Sequence, residues 1–181
     1  MKILGINLNH TASAALLIDG KLIASSAEER FSRQKLTRDF PYKAINFCLS
    51  KNNLEIDDMD AISIAWNPAI NLENFKASFS KAYRWEPELL YLIPNHLLNL
   101  KDLKYREYVK QEFYSHKKNK KLNIYYINHH LCHGAQSFLS SGYKESGVLT
   151  IDGFGEKTST MWAVADKKKI QIINSQSFPQ S

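Results

Sequence analysis

Short apolar segments separated by polar turns open the chain. Residues 3–8, 13–18 and 21–27 have the composition of β-strands, and Asp19-Gly20 is a strong hairpin signal between the second and the third. The pattern therefore predicts a three-stranded meander. Pro41 then begins a helix whose apolar residues recur at helical spacing up to Leu49, and residues 60–65 alternate as a partly buried strand does.

Helical patterning replaces the strand pattern in the middle of the chain. It predicts three helices, at 72–84, 88–100 and 104–116, which we interpret as a helical insertion of the sheet domain spanning about 70–120. The insertion either covers the site or contacts another subunit in a homodimer. A strand at 122–127 then leads into a short amphipathic helix that Asn128 can cap and Gly142 can end.

The end of the chain repeats the plan of its beginning. Strands at 147–151, 159–165 and 170–174 are joined by polar turns at Asp152 and Asp166, as the first strands are by turns at Asn7 and Asp19. Two such meanders facing each other describe the duplicated α/β fold of actin, hexokinase and Hsp70 (ASKHA, ribonuclease H-like), whose two turns close on the phosphates of a nucleotide. We expect a first half at 1–146 and the start of a second half at 147–181, so that the chain is a fragment of a longer polypeptide.

Two histidines one helical turn apart, His129 and His133, lie on the polar side of the capped helix. That spacing can place two ring nitrogens on one divalent metal ion. Asp152 ends an apolar, β-branched run and precedes Gly153, which makes its carboxylate the obvious third ligand. The alternative is that both histidines are simply exposed on a surface helix. The carboxylate in the next element leads us to favour a metal site.

Polar, basic and glycine residues in three other segments are candidates for contact with an anion. The turn after the first strand offers small polar side chains and backbone N–H groups that could cradle a phosphate. The charged segment at 28–35 either meets a phosphate or carboxylate ligand or is a solvated loop, and the Gly-rich turn at 152–155 corresponds to the second nucleotide turn of the fold. The candidates for nucleotide contact are Asn9, Thr11, Arg30, Lys35, Gly153 and Gly155.

The composition of the 181 residues, 44% hydrophobic and 23% charged, is that of an ordinary globular protein. The net charge of +6 arises largely from a lysine-rich run at 101–121, which we interpret as solvated rather than as a nucleic-acid contact.

Cys48 and Cys132 form no spaced pair and are expected to be reduced thiols. No signal peptide or membrane span is evident, so we expect a soluble, cytoplasmic protein without membrane contact.

Four motifs occur in one order along the chain: GINLNHTASAALLIDGKLIASSAEERFSRQK, HHLCHGAQSF, VLTIDGFGE and the terminal SFP. Together they resemble the O-carbamoyltransferase family of the NodU/CmcH type, over most of the chain except the helical stretch. The resemblance implies a Kae1/TsaD-like N-terminal domain of an enzyme that uses carbamoyl phosphate and ATP. Such an enzyme makes carbamoyl adenylate and moves its carbamoyl group to a hydroxyl of a small molecule.

The resemblance also implies functions for single residues. His129, His133 and Asp152 would hold an iron-type divalent ion (Fe²⁺), and the nucleotide-contact candidates would bind the carbamoyl adenylate. His10 would be the general base on the acceptor hydroxyl, whereas its alternative is a turn histidine that bonds backbone. A second carboxylate ligand and the YrdC-like domain that forms the adenylate are absent from this sequence, so we expect the fragment to be inactive alone.

Three other functions are alternatives to this one. A threonylcarbamoyl transferase acting on tRNA would use the same fold and metal, but no basic groove is evident and the EERFSRQK segment resembles the small-molecule branch. A non-catalytic nucleotide-binding module would not require His10, His129, His133 and Asp152 together. A sugar-kinase-like ATPase would have no use for the histidine pair.

Overall fold

The computed structural model describes residues 1–9, 11–67, 70, 107–153, 155–167 and 169–177. By internal contacts the chain divides into two compact units, Met1–Trp66 with Lys110–Tyr126, and Asn67–Val109 with Ile127–Ser181. The predicted helices at 72–84 and 88–100 lie outside the described residues. The predicted division of the duplicated fold after residue 146 stays a prediction.

The first unit is built on a six-stranded mixed sheet with the strand order β3-β2-β1-β4-β6-β5. The first three strands form the predicted antiparallel meander, while β1, β4 and β6 run parallel to one another. The strands are β1 (Lys2–Asn7), β2 (Ser13–Ile18), β3 (Lys21–Ala27), β4 (Ala61–Ile64), β5 (Tyr108–Ser115) and β6 (Lys120–Ile127), and the helices are α1 (Glu29–Ser32), α2 (Tyr42–Ser50) and a 3₁₀ turn at Ile56–Asp58.

Alternating apolar residues give this sheet its core. Leu4 and Ile6 of β1 are buried, and the register places the buried Leu16 of β2 opposite Leu4. Helix α2 packs against β2 and β3 and buries Ala44 and Cys48, two of the residues whose spacing predicted the helix. The apolar residues that alternate along the strands and those that recur at helical spacing in α2 therefore pack into one core, as the sequence pattern indicates.

The prediction of a helix at 104–116 is wrong at residues Tyr108–Ser115, which form strand β5. Val109 and Gln111 are buried and Lys110 between them is exposed, which is the alternation of a strand. Lysine and glutamate are compatible with a helix locally, but β5 forms a hairpin with β6. Such pairing is a tertiary contact that overrides local propensity. The helical insertion of about 70–120 is accordingly too long at its C-terminal end.

The lysines in the described part of this run lie in the β5–β6 hairpin, and several pair with acidic side chains of the same unit. Lys118 Nζ lies 3.2 Å from Asp58 Oδ1, Lys121 Nζ lies 3.0 Å from Glu112 Oε2, and Lys117 pairs with Glu55. Each exposed pair contributes little stability, but together they neutralise much of the positive charge of the hairpin.

Among its described residues, the second unit contains a three-stranded antiparallel sheet and one helix of 13 residues. Its strands are β7 (Glu145–Ile151), β8 (Thr158–Asp166) and β9 (Ile170–Ser177), in that order, and its helix is α3 (His129–Ser141). Phe138 of α3 packs on Val148, Met161 and Ala163 of the sheet. The alternate residues of β7 point away from this core, since Leu149 and Ile151 are 56% and 72% exposed.

The strand order confirms the predicted fold class. A meander whose first strand is extended by two later parallel strands is the arrangement expected for the first half of the actin-like α/β fold, and the meander of β7, β8 and β9 repeats its beginning. Within the described part of the chain, no helix has the length and apolar character needed to cross a bilayer.

Candidate metal centre

The side chains of His129, His133 and Asp152 meet at one point of the second unit. His129 Nε2 lies 2.9 Å from Asp152 Oδ2, His133 Nε2 lies 3.0 Å from His129 Nε2, and His133 Nε2 lies 3.4 Å from Asp152 Oδ2. We call these three residues the ligand triad. All three were predicted as metal ligands, and the structure brings them together.

The separations within the ligand triad fit a shared cation. Nitrogen and oxygen ligands lie about 2.1 Å from a first-row divalent metal, so two ligand atoms on one ion are about 3.0 Å apart at a right angle and about 3.4 Å apart at a tetrahedral angle. The three observed separations span this range. Two imidazoles and one carboxylate are also the donor set of non-haem Fe²⁺ sites with open positions.

Local structure explains why the two histidines share one face. The Asn128 side chain accepts a hydrogen bond from the Leu131 backbone N–H at 3.1 Å, and Gly142 ends α3 in the left-handed conformation, with φ of 78°. Both ends of the helix are those the sequence predicts. The imidazoles of His129 and His133 are consequently one turn apart, with ring centroids 4.5 Å from each other.

Asp152 is held at the end of β7 by the turn that follows it. Its backbone N–H donates to the Ser159 carbonyl at 2.9 Å, and its Oδ1 accepts the Gly153 N–H at 2.6 Å, which leaves Oδ2 for the histidines. Burial by itself raises the pKa of Asp152, but hydrogen bonds from His129 and Gly153 outweigh burial and lower it. The carboxyl is therefore ionised at neutral pH, as a metal ligand must be.

The neighbouring His130 has a different function, although it lies in the same run of histidines. It is fully buried, its Nδ1 accepts the Thr150 hydroxyl at 2.7 Å, and its Nε2–H donates to the Thr158 carbonyl at 2.8 Å. Burial is the main cause that lowers the pKa of His130. A neutral imidazole with both nitrogens bonded ties α3 to β7 and β8.

The two glycines of the Gly-rich turn differ in their surroundings. Gly153 is exposed and its N–H orients Asp152, whereas Gly155 is buried against His130. A Cβ atom on Gly155 would lie 2.8 Å from His130 Cδ2, too close for any side chain. Gly155 thus has a packing reason to be glycine, and nucleotide contact at both glycines stays a prediction.

The sequence pattern predicts no function for Glu156, which lies in the turn after β7. Its side chain is buried, with 2% exposed, and its Oε1 accepts the backbone N–H groups of Asn67 at 2.7 Å and His129 at 3.0 Å. The only signal in the sequence is its position in the VLTIDGFGE motif. A contact across 27 positions to a backbone N–H leaves no trace in local periodicity.

The turn after β1 belongs to the first unit. His10 lies outside the described residues. Around it, the Asn7 side chain donates to the Thr11 carbonyl at 3.3 Å and accepts from the Asn9 N–H at 3.1 Å, and Thr11 has a positive φ of 63°. The Asn9 Nδ2 atom is buried without a hydrogen-bond partner in the described structure. A buried, unpaired amide donor is costly unless a ligand or water accepts from it.

Arg30 and Lys35 of the charged segment are both exposed. Lys35 Nζ lies 3.6 Å from Glu29 Oε1 in the same segment, so its charge is partly balanced locally. Glu28 of the same segment is buried rather than solvated. Its carboxylate accepts the Ala44 N–H at 2.8 Å, at the start of α2. The predicted ligand contacts of Arg30 and Lys35 stay predictions.

Comparison with protein families finds a match to the model described as carbamoyltransferase N-terminus, over residues 2–181. Among individual relatives, the uncharacterised protein sll1178 of Synechocystis is 30% identical over 89% of this chain and 27% of its own length. The nodulation protein NolNO of Sinorhizobium fredii is 29% identical over 95% of this chain and 23% of its own. The chain thus spans about a quarter of the length of these relatives.

Among solved structures, YeaZ from Pseudomonas aeruginosa is similar with a TM-score of 0.47 and 12% sequence identity. The similarity covers 98% of this chain and 67% of that protein.

Proposed function

The chain belongs to the family of carbamoyltransferase N-terminal domains, and from this premise we propose that it forms the metal-binding part of an O-carbamoyltransferase. The reaction is transfer of the carbamoyl group of carbamoyl adenylate, made from carbamoyl phosphate and ATP, to a hydroxyl of a small molecule. In this step the bond between the carbamoyl carbon and the phosphate oxygen breaks, the carbon bonds to the alcohol oxygen, and AMP leaves.

The single observation that carries the proposal is the convergence of the ligand triad in a chain of this family. In the proposal these three side chains hold a divalent cation, with Fe²⁺ favoured by the donor set. When bound, such a cation acts as a Lewis acid on a carbonyl or phosphoryl oxygen. His133 and Asp152 are 50% and 38% exposed, so the ligand triad is accessible to a substrate from solvent.

The chain's own residues supply two further parts of the proposed chemistry. Removal of the hydroxyl proton is assigned to His10, because an imidazole titrates near neutrality and a positioned base is typically worth about 10²- to 10⁴-fold in rate. Contact with the adenylate's phosphate is assigned to the β1–β2 turn. The unpaired Asn9 amide donor supports this second assignment, because an anionic oxygen would satisfy it.

The test combines metal analysis of the purified chain with an activity assay. The assay uses the full-length polypeptide that carries this domain, with carbamoyl phosphate, ATP and a panel of small alcohols. Release of AMP that depends on carbamoyl phosphate, together with a carbamate ester of one alcohol, is the expected result. Release of ADP would indicate a kinase, modification of tRNA would indicate a threonylcarbamoyl transferase, and no nucleotide turnover with tight nucleotide binding would indicate a non-catalytic module.

A further inference from the structure

Glu156 is a buried carboxylate in direct contact with the backbone of the histidine helix. Its Oε1 lies 3.0 Å and its Oε2 lies 3.3 Å from the His129 backbone nitrogen, and Oε1 also accepts the Asn67 N–H at 2.7 Å. Burial of a carboxylate is costly unless hydrogen bonds compensate for it. Here two backbone donors and the positive N-terminal end of α3 offset part of that cost, and burial still raises the pKa of Glu156.

A general capping function does not account for this contact, because α3 already has an N-cap. The Asn128 side chain accepts from the Leu131 N–H, in the usual geometry of a cap. Glu156 instead binds the N–H of His129, the residue whose imidazole belongs to the ligand triad. The two acceptors therefore hold different backbone groups of the same helical turn.

The position of Glu156 in the chain links the two elements that carry the ligands. It lies in the same turn as Asp152, after β7, while its hydrogen bond reaches the first residue of α3. A shift of α3 relative to this turn would break that hydrogen bond. It would also change the 2.9 Å separation between His129 Nε2 and Asp152 Oδ2.

We propose that Glu156 is a positioning residue of the candidate metal centre. Its carboxylate fixes the first turn of α3 to the turn after β7 and so sets the distance between His129 and Asp152. This inference rests on the proposed function in one respect, that the ligand triad binds a metal. Groups that orient metal ligands typically change metal affinity about 10- to 100-fold when they are removed.

The experiment compares Glu156→Ala, Glu156→Gln and Asn128→Ala in the 181-residue chain, with Co²⁺ as a spectroscopic probe. We expect Glu156→Ala to weaken Co²⁺ binding at least about tenfold. Glu156→Gln keeps a carbonyl acceptor and should lose less affinity than the alanine variant, about threefold. Asn128→Ala removes a cap of the same helix, so it should lower the melting temperature and leave Co²⁺ affinity within about twofold.

Two results would overturn the inference. One is unchanged Co²⁺ affinity in both Glu156 variants, and the other is equal loss of affinity in Asn128→Ala, which would show that helix stability alone matters. If Glu156→Ala does not fold, the comparison of Glu156→Gln with Asn128→Ala decides in the same way.

A metal-free measurement separates this inference from the proposed function. We expect the losses of melting temperature in Glu156→Gln and Asp152→Asn to be non-additive in the double variant, because Glu156 acts through the His129–Asp152 contact. Additive losses would remove the positioning function. Absence of Co²⁺ binding by the wild-type chain, with non-additive losses retained, would remove the metal site and leave the positioning of His129 intact.

Discussion

His129 Nε2 lies 2.9 Å from Asp152 Oδ2, although the two residues are 23 positions apart in the chain. The first residue of α3 and the first residue after β7 therefore share one hydrogen bond. Without a metal this hydrogen bond needs a proton on His129 Nε2, whereas a metal would need the same nitrogen free of it. Substitutions at this contact therefore test whether the ligand triad binds a metal.

Replacement of His129 by Ala should abolish tight metal binding. The variant removes one of three ligands, and we expect the affinity for Fe²⁺ or Co²⁺ to fall more than about 100-fold, measured by titration under anaerobic conditions. His116→Ala is the matched control, because His116 is exposed on the β5–β6 hairpin of the other unit. Equal metal content in wild type and His129→Ala would exclude His129 as a ligand.

Substitution of His10 should separate two partial reactions of the full-length enzyme. If His10 removes the proton of the acceptor hydroxyl, His10→Asn loses carbamoyl transfer but keeps formation of carbamoyl adenylate. Adenylate formation is followed by pyrophosphate exchange and transfer by the carbamate ester produced. A parallel loss of both activities would remove the general-base assignment and favour a structural function in the turn.

Both cysteines should be unreactive in the folded chain. Burial is the main cause that raises the pKa of Cys132 to about 12, and burial also raises the pKa of Cys48. At pH 8 a thiol of pKa about 12 is ionised to only about one part in 10⁴, whereas an unfolded cysteine is ionised to roughly a quarter. Reaction with a disulfide reagent should be slow in buffer and yield two thiols per chain in denaturant. Rapid native labelling of Cys132 would contradict this environment.

Much of the second unit could be predicted because its signals are local. Asn128 and Gly142 mark the two ends of α3 by capping chemistry, and the spacing of His129 and His133 follows from the helical repeat. Asp152 could be added because strand ends and turns are also local features. The strand β5 was missed for the opposite reason, since its pairing with β6 is decided outside the local pattern.

The supporting contacts of the ligand triad could not be predicted from the sequence. His130 and His133 are both histidines in one motif, yet one is fully buried between α3 and the sheet and the other is half exposed. Glu156 reaches the backbone of His129, and backbone groups look the same in every sequence. Such functions depend on packing between elements, which periodicity does not contain.

Gly155→Ala should destabilise the chain, although it adds only one methyl group. The new Cβ would lie 2.8 Å from His130 Cδ2 and 3.1 Å from the Thr158 carbonyl oxygen, so His130 would have to move. We expect a loss of about 1–3 kcal/mol in the free energy of unfolding, measured by urea denaturation. Gly147→Ala is the control, because a Cβ at Gly147 meets no atom within 4 Å. Equal stability of the two variants would mean that His130 is not held as described.

The two meanders of the internal repeat differ in how deeply equivalent residues of their first strands are buried, and this difference predicts different effects of substitution. In the two meanders Leu4 and Leu149 occupy the same position of the first strand, and their register partners are Leu16 and Trp162. Leu4 is fully buried, whereas Leu149 is 56% exposed because α3 covers the other face of β7. Leu4→Ala should therefore cost about 2–5 kcal/mol of unfolding free energy, as truncation in a packed core does. Leu149→Ala should stay within about 0.5 kcal/mol, as at an open surface. Urea denaturation of the 181-residue chain measures both, and a large loss in Leu149→Ala would show that this face of the second meander is covered in solution.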